Sequence, residues 1–242
     1  MSKTNPTFQE KNIEDMFLNA AQKCGWHYIP ATEIERQMED VLVESWLRES
    51  LIALNNISAE QADQVIYKMR SYIQSATKET MVQNNNAFRR FLFDENSFPF
   101  GKDGENINIC FFDEEDMSRN YCVVTNQWVY PRTTTHGGKR LDLVFIINGI
   151  PMVIGEVKTP FAPGVTWADG ANDIVKYQKS IPAMFVTNIL NFASDGKELF
   201  YGGIGLPVDK WGPWFGTEDR QHGTLTPTFD NFCHLMSPRR LW

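Results

Sequence analysis

The sequence predicts an α/β protein, and three observations carry that prediction. Apolar residues recur at helical spacing through most of the first hundred positions, whereas short alternating runs with turn residues between them dominate after position 105. A further helical stretch near residues 168–180 falls between two strand hairpins. A chain of 242 residues that is 42% hydrophobic can bury a full core. The expected division is a helical layer over residues 1–100 and a sheet-bearing core over residues 101–242.

Phe8 to Cys24 reads as a helix, with Ile13, Met16, Phe17, Ala20, Ala21 and Cys24 on one stripe and Gly25 as the residue that ends it. Glu14 lies within it, with Glu10 a turn earlier. A second helix is expected from Thr32 to Leu54, stopped by Asn55-Asn56. Ser58 and Gln61 form a capping-box pattern that opens a third, whose buried stripe is Val65, Ile66, Met69 and Ile73. Glu79 to Phe93 gives a fourth. Strand character begins at Asn106 to Phe112 and returns at Asn120 to Tyr130, with a flexible bend at residues 133–138 after it.

The next stretch, Lys139 to Pro160, is the chemical centre of the chain. Leu143 to Ile147 and Ile150 to Ile154 are apolar runs separated by Asn148-Gly149, the pair that supplies the positive φ angles of a hairpin turn. Asp142 precedes the first run, while Glu156 and Lys158 follow the second. Register decides whether they meet. With a plain two-residue loop Asp142 faces Gly155 and Glu156 points out of the other sheet face. A three-residue loop, or an equivalent bulge, puts Asp142, Glu156 and Lys158 on one face, with roughly 4.5–8 Å between the carboxylate-bearing Cβ atoms. The second register is the one expected. Two carboxylates at that range, with an ammonium beside them, can hold a divalent cation through oxygen ligands. The alternative is a solvated, salt-bridged rim, worth little.

Beyond the hairpin, a helix is expected from Ala168 to Ser180, then an apolar segment Ile181 to Phe185 and a second hairpin, Asn188 to Ser194 and Glu198 to Gly202, about Asp195-Gly196. After Gly205 the chain reads as irregular; Trp211, Trp214 and Phe215 there are either an interface or a small core.

Several classes are excluded or disfavoured. No apolar stretch is long enough for a membrane span, and MSKTNPTFQEKN is not a signal peptide, so a cytoplasmic protein with no membrane partner is expected. Cys24, Cys110, Cys122 and Cys233 have no C-x-x-C spacing, and His27, His136, His222 and His234 form no ligand set. The acidic run Asp113 to Asp116 lacks the spacing of a calcium loop and reads as solvated. No G-x4-G-K-[ST] occurs, so this chain has no P-loop for ATP. Net charge is −7, which argues against strong DNA binding by the chain alone. The charge is uneven: Asp94 to Ser118 holds eight acidic residues against Lys102, whereas Arg119 to Thr159 holds five basic residues against Asp142 and Glu156.

The Asp142, Glu156-Val157-Lys158 spacing looks like the PD-(D/E)xK nuclease signature, with Leu141 in place of its usual proline. The text RLDLVFIINGIPMVIGEVKTP resembles the N-terminal nuclease region of type I restriction enzyme R (HsdR) subunits, and NYCVVTNQWVY and IPAMFVTNILNFASDG extend the likeness on either side. The resemblance implies a restriction-endonuclease-like fold, a central mixed β-sheet flanked by helices, and a Mg2+-dependent endonuclease acting on double-stranded DNA. It implies Asp142, Glu156 and the Val157 carbonyl as metal ligands and Lys158 as the catalytic cation. Glu14 matches an acidic residue of the family's first helix. Lys139, Arg140 and Lys176 are the candidate DNA contacts. The family's Q-x-x-x-Y motif maps its tyrosine to Tyr177, but Asp173 stands at the glutamine position and Gln178 follows the tyrosine. The implied partners are methyltransferase and specificity subunits, and an ATPase motor for which the end of this chain would be the start of a linker; ATP serves that motor only. The alternatives are a PD-(D/E)xK nuclease of another repair or phage system, or a degenerate nuclease fold serving as a docking module.

Overall fold

A computed structural model describes residues 6–131, 138–216 and 223–241; side chains are described within these except at residues 6–11 and 225. The bend expected at 133–138, the Glu10 side chain and Arg132, His136 and His222 fall wholly or mostly outside that set. In chain order the elements are α1 (Pro6–Lys23), β1 (His27–Tyr28), α2 (Glu44–Asn55), α3 (Ala59–Gln74), α4 (Met81–Phe93), β2 (Ser97–Phe98), β3 (Ile107–Asn108), β4 (Cys122–Tyr130), β5 (Lys139–Ile147), β6 (Ile150–Val157), α5 (Trp167–Ser180), β7 (Leu190–Ser194), β8 (Leu199–Gly202), β9 (Gly212–Pro213) and α6 (Leu225–Leu235). Among the described residues no helix is long and apolar enough to cross a membrane.

Among the described residues, seven strands form one mixed sheet in the order β1-β4-β5-β6-β7-β8-β9. β4, β5 and β6 are antiparallel neighbours, while β6 runs parallel to β7 and β1 parallel to β4. β5 and β6 are central, and Leu141 and Leu143 to Ile154 of the hairpin, the turn residues included, are buried. Alternation along the strands separates two faces. One carries Phe145 and Phe192, which meet each other and Phe232 of α6, while Phe17 of α1 packs on Phe192 and Phe232. The other carries Glu156 and its neighbour Ala193, and α5 lies over it.

The helices form where stripes and caps agree. Ser58 closes its capping box with Gln61, and the predicted stripe of α3 is buried. In α1, Ile13, Phe17, Ala20 and Ala21 are buried, but Met16 is turned toward solvent. Asn56, left-handed at φ 53°, caps α2.

Three expectations are corrected. The second helix starts at Glu44, not Thr32. The Arg36 guanidinium lies 3.6 Å from the Trp128 ring and donates to the Gln37, Met38, Asp40 and Val129 carbonyls, holding the preceding segment in an open course that a helix would forbid. The strand expected at 106–112 shrinks to β3, which pairs with β2 in a separate two-stranded sheet. Beyond it the backbone is satisfied by side chains: Asn55 bridges both the N–H and the carbonyl of Cys110, Asn96 donates to the Ile109 carbonyl, and Asn148 to that of Phe111. The irregular tail contains α6, whose Phe229, Phe232, Leu235 and Met236 repeat at helical spacing and go unread beside Pro227. Trp211 is buried in the main core, and Trp214, half-buried against that core, donates to His234 Nδ1 at 3.1 Å.

Candidate active site

The β5–β6 hairpin turns on Asn148 and Gly149, at φ 50° and 82°, the geometry of a type I′ turn. Ile147 therefore faces Ile150, as in the plain two-residue loop. The register then shifts between Phe145 and Ile146, because Met152 is an extra residue on β6, and Phe145 pairs with Val153 and Leu143 with Gly155. A bulge makes the parity change, and the register continued one step past the Leu143–Gly155 pair sets Asp142 across from Glu156. The Asp142 carboxylate closes the pair by accepting from the Val157 N–H at 3.1 Å.

A cleft of about 580 Å3 opens over this end of the hairpin, lined by Glu14, Asn126, Gln127, Arg140, Asp142, Glu156, Val157, Lys158, Asp173 and Tyr177. Glu156 is 3% exposed. Its Oε1 accepts from Lys158 Nζ at 3.0 Å and from the Tyr177 hydroxyl at 3.4 Å, while Oε2 is buried with no partner. Burial first, then the Asp142 charge, pushes the Glu156 carboxyl well above the usual carboxylate range, against the pull of Lys158. Burial also works to lower the Lys158 ammonium, but Glu156 and Asp173 outweigh it and hold the lysine charged, above its ordinary value. Tyr177 is raised by burial and by the surrounding carboxylates.

α5 delivers Asp173 and Tyr177. Thr166 and Asp169 form its capping box, and Gly170 lets the helix approach β6 so closely that a Cβ there would lie 3.2 Å from the Glu156 carbonyl oxygen. Asp173, a turn along, accepts from Lys158 at 2.9 Å and from Lys176 at 2.8 Å. The residue at the expected glutamine position is thus a counter-ion of the site lysine. Gln178 points elsewhere, accepting from the Gly205 N–H.

Of the residues singled out from the sequence, Glu14, Arg140, Asp142, Glu156, Val157, Lys158, Asp173 and Tyr177 share the cleft. Lys139 lies 5.7 Å from the Tyr177 ring centre, and Lys176 is exposed and occupied by Asp173. Sequence reasoning missed Asn126 and Gln127, whose amides both donate to the Glu14 carboxylate. Two adjacent amides in an otherwise apolar strand were the available signal.

The donor set suits a divalent cation. Among the described residues no group of three or more His, Cys, Asp or Glu side chains gathers tightly enough to enclose a metal. The orphaned, buried Glu156 Oε2 beside a second carboxylate nevertheless lacks the partner that a hard cation supplies.

Residues 7–204 match the family described as the type I restriction enzyme R protein N terminus. The chain is 27% identical over 219 residues to the type I restriction enzyme HindI endonuclease subunit of Haemophilus influenzae, covering 85% of this chain and 20% of that protein. It is 25% identical over 212 residues to the putative type I restriction enzyme MjaIXP endonuclease subunit of Methanocaldococcus jannaschii, with the same coverages. The chain therefore spans about a fifth of the length of these relatives.

Proposed function

From a chain that belongs to the type I restriction enzyme R protein N-terminal family, with a buried, unsatisfied carboxylate opposite a second one, we propose a Mg2+-dependent DNA endonuclease domain of PD-(D/E)xK type. The observation that carries this reading is Glu156 Oε2: a polar atom so buried costs free energy unless a ligand satisfies it. Asp142, Glu156 and the Val157 carbonyl would hold the metal. When bound, the metal supplies Lewis-acid polarisation of the scissile phosphate and a water of lowered pKa.

The chain's own residues supply the rest. Lys158, kept charged between Glu156 and Asp173, is placed to meet negative charge as it develops on the phosphate. Tyr177 bonds the carboxylate oxygen that Lys158 also uses, and fixes its orientation. Arg140 on the cleft wall, with Lys139 and Lys176 nearby, offers the backbone contacts that place the strand. Double-stranded DNA is the proposed substrate; recognition, methylation and ATP-driven movement belong to partner subunits and to a motor outside this chain.

The test is a reconstituted restriction complex carrying Asp142→Ala. ATP-driven translocation is expected to continue while cleavage of unmodified DNA falls by at least about a thousandfold, comparable to losing a principal electrostatic contribution. Cleavage that survives the substitution places the active site elsewhere.

A further inference from the structure

β4 holds one backbone irregularity that its packing does not require. Asn126 pairs with Leu143 and Trp128 with Leu141, but the Gln127–Asp142 step between them is skipped, and Gln127 sits at φ 56°. A non-glycine residue in the left-handed region is strained and persists only where its surroundings hold it there. Regular strand geometry would send consecutive side chains to opposite faces. Here Asn126 Nδ2 donates to Oε1 of Glu14 and Gln127 Nε2 to Oε2, each at 2.5 Å. The Tyr28 hydroxyl donates to Asn126 Oδ1 at 2.8 Å, which turns the amide nitrogen toward the carboxylate. Glu14 is 6% exposed and borders the cleft that also holds Asp142 and the unpartnered Glu156 Oε2.

We propose that Asn126 and Gln127 are positioning residues, which fix the Glu14 carboxylate at the wall of the cleft so that it accepts from the water of a divalent cation held by Asp142 and Glu156. The left-handed turn of Gln127 is the conformational cost of bringing both amides onto one carboxylate. This rests on reading the cleft as a metal-dependent nuclease site.

The test is a Mn2+ titration of the whole chain by calorimetry, paired with thermal melting in EDTA. Gln127→Gly keeps the backbone angle at no steric cost, and relief of that strain offsets the hydrogen bond lost to Glu14, so its melting temperature should stay close to that of the parent, while Mn2+ affinity drops about tenfold, as for other residues that orient metal ligands. In a Glu14→Gln background the same change should cost nothing further, since it acts through Glu14. Asn126→Ser, which leaves the Gln127 backbone alone, should lose affinity with the same dependence on Glu14. Unchanged affinity in both variants, or losses that add to that of Glu14→Gln, overturn the proposal. Asp142→Ala in the same titration separates the two readings. If it too binds Mn2+ normally, the metal site itself is wrong; if it alone loses binding, only the role of the amides falls.

Discussion

Glu156 shows at the level of one residue how stability and chemistry compete. Its carboxyl is raised by burial and by Asp142, and one oxygen has no partner. The unfolded chain therefore ionises at lower pH than the folded one. The folded state loses stability as pH rises from the ordinary carboxylate value toward the raised one, and keeps that loss at higher pH. Glu156→Gln removes the charge without changing shape. Melted in EDTA near pH 8, the variant should exceed the parent by about 1–2 kcal/mol, the cost of an unsatisfied buried group. The gain should shrink as pH falls toward 4.5, and DNA cleavage should be lost. A variant less stable at pH 8 would mean that the Lys158 ion pair outweighs burial. Most of the residues that line this cleft were legible from residue types taken with the family resemblance, because spacing alone leaves a solvated, salt-bridged rim as an equal alternative. The Asp173–Lys158 pair was not, since it depends on how closely α5 approaches β6.

At the level of elements, the hairpin shows what local chemistry settles and what it leaves open. Asn148-Gly149 announces its turn, and Asn148 also accepts from the Tyr121 N–H and donates to Asn120 and the Phe111 carbonyl. The bulge at Met152 carries no such signature, because any residue of a buried apolar strand can be the extra one. The parity requirement was therefore readable and its location was not. Likewise the capping box of α3 is local and was read, whereas the late start of α2 depends on Arg36 reaching Trp128 more than ninety positions away. Gly149 gives a direct test. It lies at φ 82°, and a Cβ would come within 2.4 Å of the Val43 carbonyl oxygen, which belongs to the segment whose N–H bonds the Gly149 carbonyl. Gly149→Ala should destabilise by at least about 2 kcal/mol through strain and overpacking. A denaturant midpoint equal to that of the parent would show that the turn and the start of α2 yield easily.

Over the whole molecule, charge and topology set the limits. With a net charge of −7, and a cleft whose carboxylates Glu14, Asp142, Glu156 and Asp173 face only the cations Arg140 and Lys158, the chain has little hold on a polyanion. Alone it should bind duplex DNA with a dissociation constant in the micromolar range or weaker at about 50 mM salt, and lose measurable binding by about 200 mM. Tight binding that resists salt, measured by fluorescence anisotropy, would contradict this. The topology also joins distant parts of the chain. The Trp26 indole donates to the Met236 carbonyl across 210 positions, and Phe232 of α6 closes over Phe17, Phe145 and Phe192. Seen in the order of synthesis, α1 and the central hairpin leave the ribosome well before the helix that seals them. The nascent chain leaves that aromatic face without its α6 cover until residue 236 is clear of the exit tunnel, an interval in which exposed apolar surface favours aggregation.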